Sequence, residues 1–158
     1  MLTMQEVFNK VCDHLLEQRA RSETDPNSDV HVCAYRGAND MQCAVGCLIK
    51  DEYYSPGLEG LGCGAVAVKK ALEQSGVDAY GYTKPMFTLL RELQRLHDHV
   101  LPESWPAGLC SIAQCHQLQQ PPSLVAAVQA AVALAQARST AQGAHSAPPQ
   151  PAQAAQPA

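Results

Sequence analysis

Apolar residues recur at helical spacing over residues 3 to 19, where Met4, Val7, Phe8, Val11 and Leu15 share one face. Thr3 followed by Glu6 is a capping-box signature at the start of that run, so an N-terminal helix is expected there. Met86, Leu89, Leu90, Leu93, Leu96 and Val100 form a second stripe, with Pro85 in its first turn and Pro102 stopping it. Ala65 to Gln74 predicts a shorter helix ended by Gly76. A further helix is expected from Trp105 or Pro106 to Leu118, capped by Ser104. Ser123 to Arg138 reads as an alanine-rich helix with little bulk to hold it to a core. Arg21 to Asp29 is polar and turn-forming, hence a loop.

Between these helices the period changes. Val30 to Arg36 and Met41 to Ile49 suit an antiparallel β-hairpin closed by Gly37, Ala38, Asn39 and Asp40. Pairing outward from that turn puts Val30, Val32 and Ala34 on the face that carries Cys43, Val45 and Cys47, with Cys33 pointing away. A bare hairpin is unstable, so helices must cover it. The expected fold class is therefore α+β: a hairpin, with room for a third short strand, packed against several helices in a single domain. The boundaries are a compact domain over 1–120, a loosely attached alanine-rich helix over 121–138, and a disordered Ala/Gln/Pro tail over 139–158. That tail cannot repay its ordering entropy.

A chain of 158 residues is sized for one core. A net charge of -4 and a charged fraction of 16% leave no basic field, which disfavours nucleic-acid binding. The apolar stretch Leu124 to Ala137 is interrupted by Gln129 and Gln136 and falls short of the ~20 residues that span a bilayer, so no membrane segment is expected. The 7 cysteines are odd in number, and the start lacks a basic n-region and an apolar h-region. Reduced thiols in a cytoplasm fit this better than a secreted disulfide scaffold.

Cys33, Cys43, Cys47 and Cys63 contain a spacing that zinc could use. Strand parity instead makes the hairpin cysteines core residues, and no metal or cofactor is assigned. The pair Cys110 and Cys115 reads as helix packing. Cys63 is a weak nucleophile candidate because it precedes a helix N-terminus, with His97 as its weak candidate base. Asp98 lies about 100° around the helix from His97 and cannot easily orient it. The His97-Asp98 doublet also lacks the later aspartate that metal-dependent phosphohydrolases need. Gly57, Gly60, Gly62 and Gly64 match neither phosphate-loop pattern. The polar residues with no evident core role are Arg36, Asp51, Glu52, Tyr53 and Glu59, which form a candidate binding surface. Tyrosine there offers large contact area at low entropic cost.

The segments VCAYRGANDMQCAVGCLIKDEYYSPGLEG, LLRELQRLHD and PESWPAGL resemble a family of small uncharacterised proteins from tailed-phage genomes and prophages. Its pattern is YRG, CAxGxLIxDExYxPxxEG, LQxxHD and a late Trp, and the similarity spans residues 4 to 118. The resemblance implies an accessory protein in a bacterial cytoplasm and brings no activity, cofactor or catalytic residue. The expected function is non-enzymatic binding of a host or phage macromolecule, a protein in the first instance. Two alternatives stand beside it: a small hydrolase or transferase using Cys63 or His97, and an oligomeric assembly protein whose interface is the helix from 123 to 138.

Overall fold

The computed structural model describes residues 1–25, 32–80 and 84–144, with side chains described through residue 140. Five helices carry the described fold: α1 Met4–Gln18, α2 Val66–Gln74, α3 Pro85–His99, α4 Trp105–Cys115 and α5 Pro122–Ala144. Short 3-10 turns at Ala38–Asp40, Gly46–Leu48, Asp51–Tyr53, Pro56–Leu58 and Pro102–Ser104 join them.

The helix ends follow local chemistry. Thr3 caps α1 by accepting from the Glu6 N–H at 3.2 Å, and Glu6 accepts from the Thr3 N–H at 2.8 Å. That face buries Val7, Phe8, Val11, Cys12 and Leu15. Pro85 opens α3, whose stripe buries Met86, Leu89, Leu90, Leu93 and Leu96. Gly76, at φ 94, follows α2 in a conformation that favours glycine. Ser104 occupies the N-cap position of α4 but makes no side-chain capping bond, a departure from its expected role. Trp105, buried at the start of α4, donates its indole N–H to the Val100 carbonyl at 3.0 Å.

The expected hairpin is overturned. No strand occurs among the described residues, only the isolated bridges Glu23–Cys33 and Arg36–Gln42, so the described fold is helical rather than α+β. The turn itself forms: the Gly37 N–H donates to the Met41 carbonyl at 2.8 Å, and Asn39 and Asp40 take φ values of 57 and 58. The ladder does not propagate because side chains claim its backbone groups. Glu59 accepts from the N–H of Tyr35 and of Arg36, Gln18 from Gln42, Gln94 from Val45, and Ser75 from Lys50. Arg36 donates to the carbonyls of Gly46 and Ile49. Burial also falls on both parities: Cys43, Ala44, Val45, Gly46, Leu48 and Ile49 are buried, with only Cys47 among them half-buried, so no face alternates with another. The parity assigned to the hairpin cysteines falls with the strands, although Cys43 does pack in the core. Val30 lies outside the described residues.

Helix α5 seats Leu124 in the core and rests on α1 through Ser123, whose hydroxyl donates to Asp13. From Gln129 to Thr140 its side chains are exposed. Its helical path continues through Ala144, six residues into the expected tail. The rest of that tail, 145–158, lies outside the described residues. No described helix is long and apolar enough to cross a membrane.

Candidate functional site

Two polar clusters organise the segment between α1 and α2. In the first, the Glu59 carboxylate accepts from the Tyr35 N–H at 2.9 Å, the Arg36 N–H at 3.0 Å and the Tyr54 hydroxyl at 2.9 Å. Arg36 donates to Gly46 at 3.0 Å, to Ile49 at 2.7 Å and to Asp51 at 2.8 Å, and its guanidinium lies 5.3 Å from the centre of the Tyr54 ring. Tyr35 donates its hydroxyl to the Leu61 carbonyl at 2.7 Å. Arg36 and Glu59, expected to face a partner, are thus internal struts. Gly37 is required for space: a Cβ there would stand 2.6 Å from the Glu23 carbonyl oxygen and from the Ser22 hydroxyl.

What faces outward is the loop those struts hold. The Asp51 side chain is 95% exposed, so its ion pair with Arg36 is weak in itself. Glu52 is exposed, and its carboxylate beside the Tyr53 hydroxyl raises that phenol's pKa, while Tyr53 lies half-buried against the core. Leu61 and Val66 stand exposed further along, Val66 at 72%.

The second cluster centres on α3. His97, fully buried and stacked on Trp105 with ring centroids 5.6 Å apart, accepts the Ser22 N–H at Nε2, 3.0 Å away. An accepting Nε2 leaves the proton on Nδ1, which donates to Asp98 Oδ1 at 3.0 Å. Gln94 donates to the same oxygen at 2.7 Å and accepts from the Val45 N–H at 3.0 Å. Cys33 lies beside them, its Sγ within 4.8 Å of the Asp98 carboxylate. The expectation that Asp98 could not engage its neighbour His97 is therefore corrected: the 100° offset holds for the Cβ directions, but the two side chains turn toward one another.

Cys33 Sγ, His97 Nδ1 and an Asp98 oxygen lie within 4.8 Å of one another. A metal ligand needs a lone pair on Nδ1, yet Nδ1 holds the proton. Moving that proton to Nε2 would set it against the Ser22 N–H, so the imidazole does not fit as a ligand. The thiols are held neutral. Burial and the neighbouring Asp98 charge push Cys33 up to about 12. Burial raises Cys63 in spite of the Arg91 and Lys69 cations nearby. The weak pair proposed from sequence is not assembled, since His97 commits both ring nitrogens to Asp98 and Ser22.

Burial opposes the Asp98 charge, but donors from His97, Cys33 and Gln94 outweigh it and hold the carboxyl below its ordinary value. A depressed folded pKa contributes stability above the unfolded value, about 3.9, and that stability is lost as pH falls through the folded value. Urea unfolding from roughly pH 6 down to pH 3 should show a steeper loss in the wild type than in Asp98→Asn. Equal slopes would mean that the fold does not depress the Asp98 pKa.

Gln94 and Ser22 escaped the sequence reading, and Cys33 was weighed there for zinc and for the hairpin but never linked to His97 or Asp98. The available signal was the spacing of Gln94 and Asp98 at i and i+4 within the LQRLHD segment, a spacing that places them side by side on a helix. Comparison with protein-family models, curated proteins and solved structures gave no match, so no property of another protein is carried onto this chain.

Proposed function

We propose that the protein is a non-enzymatic binding protein that engages a host or phage macromolecule through the loop from Lys50 to Val66. Its setting would be a bacterial cytoplasm during phage or prophage expression, as the family resemblance implies. The observation that carries this reading is the pair of struts. Arg36 and Glu59 hold an irregular segment in one shape while Asp51, Glu52, Leu61 and Val66 remain exposed on it. A loop ordered beforehand binds without the entropic cost of ordering it at the encounter. The chemistry it offers is two carboxylates beside small apolar patches, which suits a partner surface carrying lysine or arginine around an apolar contact. Nucleic acid is a poor match to that charge.

The test is affinity capture from bacterial lysate with the wild type and with the double variant Glu52→Ala, Tyr53→Ala. A single stoichiometric protein should be retained by the wild type and lost from the variant, whose melting temperature should fall by no more than about 4 °C, the equivalent of about 1 kcal/mol. Capture that is absent, or equal for both proteins, overturns the assignment.

A further inference from the structure

We infer that the protein forms a symmetric dimer in which the α5 helices of two copies pair antiparallel, each projecting half lying in the other copy's groove. An open groove of about 800 Å³ runs between the C-terminal half of α1, the Pro102–Pro106 corner and α5. Its α5 wall is Ala126, Ala127, Ala130, Ala131 and Leu134. Beyond the groove α5 continues with every side chain from Gln129 to Thr140 exposed, including Val132 at 51% and Leu134 at 54%. Apolar residues occupy all sides of this projecting part, and Arg138 is the one charged residue between Pro122 and Ala144. A helix that is apolar all round has no solvating face and is normally covered. Alanine-rich helices of this length are also marginal by themselves in water.

The occupant follows from charge and symmetry. The groove is acidic, with Asp13, Glu17 and Glu103 against Arg19. It therefore selects a helix that is apolar with a basic end, and α5 itself has that character. Asp13 sits beside Ser123, where its carboxylate takes the Ser123 hydroxyl, so α1 fixes an acidic group at the base of α5. A two-fold axis near Ala130 and Ala131 pairs position 138 of one copy with about position 124 of the other. Arg138 then arrives next to Asp13, and the same pairing repeats at the opposite end, as an isologous interface requires. One operation thus covers both projecting halves and fills both grooves. This interface uses none of residues 50 to 66, so it stands apart from the proposed partner loop.

Sedimentation equilibrium of the full chain tests it. The wild type should run as a species of twice the 16.9 kDa chain. Val132→Glu with Leu134→Glu, both at exposed positions, should give the monomer mass with the domain still folded by circular dichroism and a melting temperature that no longer rises with protein concentration. Arg138→Asp should weaken the dimer by about tenfold, and Asp13→Arg added to it should restore the lost affinity by re-forming the pair with reversed charges. A wild type that stays monomeric up to about millimolar concentration overturns the dimer, as does a dimer indifferent to charge at 132 and 134. Failure of the charge reversal to restore association, with the fold intact by circular dichroism, overturns the antiparallel register.

Discussion

Gly46→Ala should unfold a large fraction of the protein's stability, about 3 kcal/mol or more, with a melting temperature lower by roughly 10 °C. A methyl group at Gly46 would overlap the Tyr35 carbonyl oxygen and press on Tyr35 C and Cα at 3.0 and 3.1 Å. These are backbone atoms, so no rotamer change relieves the clash. The Tyr35 segment cannot retreat either, because Glu59 holds its N–H groups and Arg36 reaches back to the Gly46 carbonyl. Gly62→Ala is the internal comparison. Nothing lies within 4 Å of a Cβ built there, and the change should stay within about 0.5 kcal/mol. Thermal melts of the two variants decide the matter, and similar values would show that the close approach at Gly46 does not exist.

His97→Ala should cost about 4 kcal/mol, a value typical of removing a large buried ring and leaving a cavity. The substitution also removes the stack on Trp105, strands the Ser22 N–H and takes one donor from Asp98. His97→Asn should recover part of that loss, since an asparagine amide nitrogen sits at about the Nδ1 position and can still donate to Asp98. A catalytic histidine would behave differently: its removal commonly leaves stability unchanged or improved, because functional sites are seldom optimised for folding. Chemical denaturation of the three proteins separates these outcomes, and an alanine variant as stable as the wild type would end the structural account of His97.

The helices were legible because their signals are local. Thr3 and Glu6 announce α1 within four residues, and the apolar stripe from Met86 to Leu96 needs only its own period to be read. The hairpin failed for a reason that no window of sequence contains. Residues 41 to 49 do carry apolar residues at alternate positions, but the intervening Ala44, Gly46 and Leu48 are buried too, against helices from both sides in the sequence. Their hydrogen bonds are met by Gln18 on α1, Gln94 on α3 and Ser75 after α2, partners 24, 49 and 25 residues away. The candidate site divides along the same line. Asp51, Glu52 and Tyr53 lie on the surface loop as expected, whereas Arg36 and Glu59 were read as surface residues because charge in a loop normally faces water. Their half-buried positions against backbone groups distant in the chain are a tertiary fact. Tyr35, Arg36, Gly37, Glu59, Gln94, His97 and Asp98 are the parts that close this segment, each set against a group far from it in the chain.

Because side chains take the N–H groups of Tyr35, Arg36, Gln42, Val45 and Lys50, these positions are not free to pair with an added foreign strand. A partner docking on this face would therefore meet side-chain chemistry alone, without the sequence-independent affinity that main-chain pairing provides. Exchanges at the exposed positions 51 and 52 would change that chemistry while the frame beneath them stays as it is.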